Sequence, residues 1–234
     1  MENNYIILST KKWNLDLAER LKSYDPNSNW YHISKKEDFN LETLQRIKPQ
    51  KIFIPHWSDI IPEKIFLNFD CIVFHMTDLP FGRGGSPLQN LITNSYETTK
   101  ISAIKVVKEL DAGPVYLKNN LSLYGTAEEI FIRANNVIFN MITNINEQNF
   151  ELKEQEGEIV TFKRRKEKMS SIDGLKELDQ LFNHIRMLDA DGYPNAYLES
   201  ENFKFEFRRA SLKANKSIQA DVKIILKNRL TKQN

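Results

Sequence analysis

The chain has 234 residues, of which 41% are hydrophobic and 11% aromatic, with eight glycines and eight prolines. This composition is typical of one sizeable hydrophobic core plus a small additional lobe, and it excludes a disordered or fibrous chain. Lys and Arg number 33 against 31 Asp and Glu, so the net charge of +2 gives no electrostatic argument for nucleic-acid binding by the whole molecule.

Cysteine content and apolar runs indicate the compartment. Cys71 is the only cysteine, which excludes an intrachain disulfide and a cysteine-based metal site. The first residues lack the features of a signal peptide, and no apolar run approaches the ~18 residues needed to cross a bilayer. We therefore expect a cytoplasmic protein with no membrane partner. A locally basic end is interpreted as solvated surface; it comprises Lys223, Lys227, Arg229 and Lys232.

The first third of the chain predicts strands that alternate with helices, a pattern typical of a parallel α/β sheet. The predicted strands are Tyr5–Ser9, Trp30–Ser34, Lys51–Pro55 and Cys71–His75, and the predicted helices are Asn14–Tyr24, Leu41–Ile47 and Pro62–Asn68.

The middle of the chain predicts a helix, two strands and a second, longer helix. These are the helix Ser86–Thr93, the strands Ser102–Glu109 and Val115–Leu123, and a helix that begins at Thr126. Thr126 and Glu129 have the spacing of a capping box, which supports that starting point.

The composition becomes acidic and polar at Glu147–Glu158, which we interpret as a linker. The predicted domains are therefore residues 1–145 and a small α+β subdomain at 146–234. In the second of these we expect a helix near Leu175–Leu188 and strands at Ala196–Glu199 and Phe203–Arg208.

The strongest indication of a catalytic site in the sequence is a histidine followed by a Gly-rich turn. His75 ends a predicted buried strand, and Gly82, Gly84 and Gly85 follow before the next helix. Open parallel sheets bind ligands beyond the carboxyl ends of their strands. The glycines allow positive φ angles, and their amides are candidates to face an anion or oxyanion. The alternative is a core histidine beside a purely structural turn.

Asp111 lies in a second turn, Leu110-Asp-Ala-Gly-Pro114. In such a turn, an aspartate commonly caps its own backbone. In the other interpretation, its carboxylate lies beside His75 and orients the imidazole, as acid–base pairs require.

These two segments together resemble the signature of the folate-dependent formyltransferases. The first runs Leu79-Pro80-x-x-Arg83-Gly84-x-x-Pro87-Leu88-Gln89-x-x-Ile92 after His75, and the second is the turn around Asp111. Downstream, the region following the catalytic domain in longer members is similar to Phe162-Lys-Arg-Arg165, Ser171-Ile-Asp173, Ile185-Arg186 and Gly192-Tyr-Pro-Asn-Ala196.

The resemblance implies a Rossmann-like catalytic domain at residues 1–145, N10-formyltetrahydrofolate as co-substrate, no metal, and His75 and Asp111 as catalytic residues. The family places an asparagine two residues before the histidine, and this chain has Val73 there. Either a divergent enzyme uses His75 or the amides of Gly82–Gly85 for the oxyanion, or activity is lost. His56 is a further candidate for the missing hydrogen bond.

The resemblance also suggests binding residues, each of which is alternatively an ordinary structural or surface residue. The candidates on the folate side are Trp57, Arg83, Gly84, Gly85, Asp111 and Gly113. Those on the acceptor side are Phe81, Gly82, Lys100, Arg164, Arg186 and Tyr193.

The short C-terminal part resembles the bacterial sugar N-formyltransferases most. This implies a nucleotide-linked amino sugar as acceptor, no nucleic-acid partner, and a homodimer formed through Ala196–Arg208. The alternatives are a non-catalytic folate or nucleotide-sugar binding protein and a divergent methionyl-tRNA formyltransferase.

Overall fold

A computed structural model describes residues 3–227 and divides the chain into two compact units. The first unit contains the described residues up to Pro87, with Thr98–Ser122 and Phe131–Lys163. The second contains Leu88–Glu97, Leu123–Ile130 and the described residues from Arg164 onward. Of the predicted basic end, Arg229 and Lys232 lie outside the described residues.

The elements follow in chain order. The strands are β1 (Asn3–Ser9), β2 (Ser28–Ile33), β3 (Lys51–His56), β4 (Cys71–His75), β5 (Phe81–Gly84), β6 (Thr98–Lys105), β7 (Val115–Ser122), β8 (Val160–Phe162), β9 (Ala196–Glu199), β10 (Phe203–Lys213) and β11 (Ser217–Leu226). The α-helices are α1 (Leu17–Tyr24), α2 (Leu41–Ile47), α3 (Glu63–Phe66), α4 (Pro87–Thr93), α5 (Ala127–Glu147) and α6 (Leu178–Arg186). Short 3-10 helices occur at Lys12–Asn14 and Glu167–Ser170.

The main sheet of the first unit has the strand order β2-β1-β3-β4-β6-β7. The first four strands are parallel, whereas β6 runs antiparallel to both β4 and β7. Strands β1 and β3 are nearly continuous apolar runs buried on both faces, as parallel strands covered by helices require. The parallel-rich, Rossmann-like fold is confirmed, and it brings the carboxyl ends of β1, β3 and β4 to one edge.

A second, two-stranded sheet in the first unit was not predicted. Strand β5, in the Gly-rich turn, pairs in parallel with β8, and the rings of Phe81 and Phe162 pack edge to face at 5.5 Å. The chain after α5 therefore returns to the Gly-rich turn, and residues through Lys163 belong to the first unit. The domain boundary near residue 145 stays a prediction.

The start of the long helix agrees with its capping signal. The Thr126 amide donates to Glu129 Oε2 at 2.7 Å, and the Glu129 amide donates to Thr126 Oγ1 at 3.3 Å. These reciprocal bonds satisfy amides that an α-helix leaves unpaired at its first turn. Helix α5 then begins at Ala127, one residue after the predicted position.

The second unit contains an antiparallel sheet of order β11-β10-β9 with helix α6 packed on it. Strand β10 runs to Lys213, five residues beyond the prediction, and β11 was not predicted. An apolar pocket lies between α6 and the sheet, lined in part by Leu181, Ile185 and Phe207. None of the helices within residues 3–227 has the length and hydropathy to span a membrane.

Candidate active site

His75 lies at the carboxyl end of β4 and is buried, with 7% of its surface exposed. Its Nε2 lies 2.8 Å from the backbone oxygen of Gly82. A carbonyl oxygen can only accept, so Nε2 carries a hydrogen and donates it to Gly82. This bond fixes the ring orientation and turns Nδ1 toward Asp111, whose Oδ2 is 3.6 Å away.

Asp111 reaches His75 from the turn between β6 and β7. The residue has a φ of +53°, and its Oδ2 accepts a hydrogen bond from the Gly84 amide at 2.9 Å. The carboxylate therefore caps the backbone of a loop 27 residues earlier in the chain. The structure thus brings together the two side chains predicted to be catalytic, each about nine-tenths buried.

Close backbone contacts explain the glycines on both sides of the pair. Gly84 has a φ of +103°, and a Cβ there would lie 2.5 Å from the Phe162 oxygen. At Gly113 a Cβ would lie only 1.7 Å from the Lys105 oxygen. Any side chain at either position would displace the loop that holds Asp111.

Gln155 is a contributor to this region that sequence reasoning missed. Its Nε2 donates to the backbone oxygens of Asp111 at 2.9 Å and Gly113 at 2.8 Å. Its Oε1 accepts from Arg83 through Nε at 3.1 Å and through a terminal nitrogen at 2.8 Å. The segment interpreted as a linker therefore supplies a side chain that joins the two turns.

Two of the amides predicted to face an oxyanion are already engaged. The Gly84 amide donates to Asp111, and the Gly85 amide donates to the Phe162 oxygen at 3.1 Å. Val73, at the position of the family's asparagine, packs against Leu79 and neighbouring apolar side chains. Its surroundings are therefore those of a hydrophobic core.

His56 and Trp57, at the end of β3, lie among other aromatic rings. His56 lies edge-on to Trp13 at 5.6 Å and to Phe131 at 5.4 Å. Burial, with a contribution from nearby Lys11, lowers the pKa of His56 to about 3, so its imidazole is neutral at physiological pH. Trp57 packs edge-on to Phe39 at 6.0 Å. Its role toward folate stays a prediction.

Lys100 is the charged acceptor-side candidate that lies in the first unit. Its Nζ forms an ion pair with Asp78 at 2.9 Å, and Asp78 also accepts from Lys118 at 2.6 Å. Because all three side chains are partly exposed, the cluster remains accessible to solvent. A role of Lys100 in binding stays a prediction.

The other charged candidates lie in the second unit. Arg186 is buried, and its guanidinium donates to the backbone oxygens of Leu123 at 2.7 Å and Gly125 at 2.9 Å. These bonds connect α6 to the segment Leu123–Gly125 and give Arg186 a structural role within the second unit. Tyr193 is hydrogen-bonded to Gln89, and burial raises the pKa of its hydroxyl to about 12. Arg164 lies near enough to Tyr193 to act on it electrostatically.

Comparison with known proteins identifies the family. The chain aligns at 48% identity with a solved structure described as methionyl-tRNA formyltransferase from Clostridium thermocellum. The TM-score is 0.93, with 96% of this chain and 100% of that chain covered. The chain belongs to the formyltransferase family. The family model for the C-terminal domain of methionyl-tRNA formyltransferase also matches residues 167–225.

Other formyltransferases are similar over different spans. The methionyl-tRNA formyltransferase of Thermotoga maritima is 30% identical over 181 residues, which is 74% of this chain and 57% of that protein. The chain thus spans little more than half the length of that curated relative. A likely sugar N-formyltransferase from Mycobacterium tuberculosis shares the fold at a TM-score of 0.67 and 15% identity, covering 97% of this chain and 98% of that one.

Within residues 3–227, no group of three or more His, Cys, Asp or Glu side chains is arranged to hold a metal ion.

Proposed function

We propose that this protein transfers a formyl group from N10-formyltetrahydrofolate to a primary amine. The observation that carries the proposal is the buried contact of 3.6 Å between His75 Nδ1 and Asp111 Oδ2 beside the Gly-rich turn. Membership of the formyltransferase family supports the reaction class.

The geometry suits this pair to proton transfer. Because Nε2 donates to the Gly82 oxygen, Nδ1 of a neutral His75 would present a lone pair to the carboxylate of Asp111. A proton placed between these two atoms makes the contact attractive. The pair is therefore arranged to take up one proton and to release it again, as a general base and then a general acid.

The reaction then follows with its atoms balanced. The nitrogen of the neutral acceptor amine attacks the formyl carbon, and the bond from that carbon to N10 of the folate breaks. The attacking nitrogen loses a proton to the His75–Asp111 pair, and N10 of the departing tetrahydrofolate gains one. Both steps require the buried pair to stay in place while the substrates change.

For the acceptor, we propose the amino group of methionyl-tRNA. The support is the match at 48% identity along the whole of a chain described as methionyl-tRNA formyltransferase, together with the match to the C-terminal family model. These findings weigh against our expectation of no nucleic-acid partner.

A nucleotide-linked amino sugar remains the second candidate because of one observation. The formal net charge of +2 gives little general attraction for a phosphate-rich tRNA. A small acceptor carrying a diphosphate needs only a few local cations. The sugar enzymes of solved structure are 12–15% identical to this chain, so their similarity supports the fold alone.

The test is product identification by mass spectrometry. The protein is incubated with N10-formyltetrahydrofolate and either methionyl-tRNA or a set of UDP- and dTDP-linked amino sugars. Formylated methionyl-tRNA supports the main proposal, and rates that fall steeply with added salt support tRNA contact. If a sugar is formylated and methionyl-tRNA is not, the acceptor is the amino sugar and the proposal of methionyl-tRNA is wrong. Tight binding of reduced folate without transfer to any acceptor would overturn the enzyme proposal in favour of a binding protein.

A further inference from the structure

Gln155 differs from its neighbours in the segment that follows α5. It is half-buried, whereas Glu154 and Glu156 on either side are exposed. The same short segment is tied to the main sheet by paired backbone bonds between Lys153 and Val115, at 2.7 and 3.1 Å. The backbone anchor next to Gln155 therefore limits how far its side chain can move from the turn it contacts.

The Gln155 side chain uses both ends of its amide. The NH2 group donates to two carbonyls of the Asp111 turn, and the oxygen accepts twice from Arg83 in the Gly-rich turn. The Asp111 carboxylate independently accepts from Gly84, which neighbours Arg83. The two turns are thus joined at two points, once through Asp111 and once through Gln155.

We propose that Gln155 is a positioning residue that holds Asp111 at its working distance from His75. The inference rests on the proposed function of that pair. Asp111 has a positive φ, a left-handed conformation that is less favourable for residues other than glycine, although aspartate adopts it more often than most. Hydrogen bonds to the Asp111 and Gly113 oxygens constrain the turn on both sides of Ala112.

The chemistry of the contact requires an amide. Among side chains of this length, only glutamine offers two donor hydrogens and an acceptor without a charge. A glutamate would still accept from Arg83 but would turn a carboxylate oxygen toward the two carbonyls. A methionine would fill the space and make neither set of bonds.

The experiment compares Gln155→Met and Gln155→Glu with a control, Gln148→Met, which changes an exposed glutamine near the end of α5. We expect both Gln155 variants to lower kcat by about tenfold or more, because small misplacements of reacting groups are costly. The KM values should change much less, and the control should behave as the parent. Unfolding midpoints of each variant separate loss of position from loss of fold.

A second readout does not depend on turnover. The ¹⁵N resonance of His75 Nδ1 reports its contact with Asp111, and we expect it to move in both Gln155 variants but not in Gln148→Met. A kcat near that of the control, or an unmoved Nδ1 resonance in a folded Gln155→Met protein, would overturn the inference. If the parent transfers no formyl group, the proposed function fails, and the resonance alone decides the role of Gln155.

Discussion

Substituting Gly84 tests the geometry of the site most sharply, because the chain offers a matched control. Gly84 has a φ of +103°, and a Cβ there would lie 2.5 Å from the Phe162 oxygen. Gly157 has a φ of +121°, but the atom nearest to an added Cβ there belongs to Pro80 and lies 3.8 Å away, at an ordinary van der Waals distance. Alanine is therefore strained by backbone conformation at both positions and by a backbone contact at Gly84 only.

The magnitudes follow from these two contributions. An unfavourable φ costs a non-glycine residue about 1–3 kcal/mol, and this applies to Gly84→Ala and Gly157→Ala alike. Relieving an overpacked contact costs about 1–3 kcal/mol more, and this applies to Gly84→Ala alone. We therefore expect Gly84→Ala to lose about 2–6 kcal/mol of unfolding free energy and the control about 1–3 kcal/mol.

The assay is thermal and urea unfolding followed by tryptophan fluorescence, with formyl transfer measured on the same samples. For a chain of this size, each kcal/mol lowers Tm by about 2–4 °C. Because the Gly84 amide donates to Asp111, Gly84→Ala should also lose more kcat/KM than Gly157→Ala. Equal Tm and equal activity for the two variants would refute the close contact between the turns.

Two further predictions concern buried side chains. Arg186→Lys should lower the free energy of unfolding by about 1–3 kcal/mol, because a buried carbonyl loses its partner. A raised KM for the acceptor with an unchanged urea midpoint would instead indicate that Arg186 binds substrate. His56 has a pKa of about 3 in the folded protein, whereas an ordinary histidine has a pKa of 6.5. Between these two pH values the unfolded chain binds more protons than the folded protein. The free energy of unfolding therefore falls as the pH decreases from 6.5 toward 3. His56→Phe should therefore lose less Tm than the parent between pH 7 and pH 5, and an identical loss would contradict a neutral buried imidazole.

The main sheet was predictable because its strands carry their own signal. Parallel strands buried on both faces appear as short apolar runs, and β1, β3 and β4 were found in this way. The capping box at Thr126 likewise depends on residues three positions apart. Local patterns of this kind can be recognised without knowledge of the rest of the fold.

The missed strands show where local signals fail or were overlooked. Strand β5 contains two glycines in four residues and is formed by pairing with β8, far along the chain. No periodicity in either segment indicates that partnership. Strand β11 did carry a signal, since Ile218, Ala220, Val222 and Ile224 alternate with polar residues. We interpreted the basic end of this stretch as solvated surface and predicted no strand there.

The proposed catalytic residues of the site were predictable from the sequence, but the residue that holds their turns together was not. His75 ends a strand just before the Gly-rich turn and Asp111 lies in a second turn, and the family resemblance implied that both are catalytic. Gln155 lies in an acidic, polar stretch, and its partners Arg83 and Asp111 are 72 and 44 residues away. Hydrogen bonds over such separations leave no pattern in a single sequence.

The most direct test of the account is formyl transfer by Asp111→Asn, which keeps the size of the side chain and removes its charge. If the His75–Asp111 pair carries the proton of the acceptor amine, kcat/KM should fall by about 100-fold or more, with the unfolding midpoint little changed. Formyl transfer at the parental rate by a folded Asp111→Asn protein would contradict the central role of the pair.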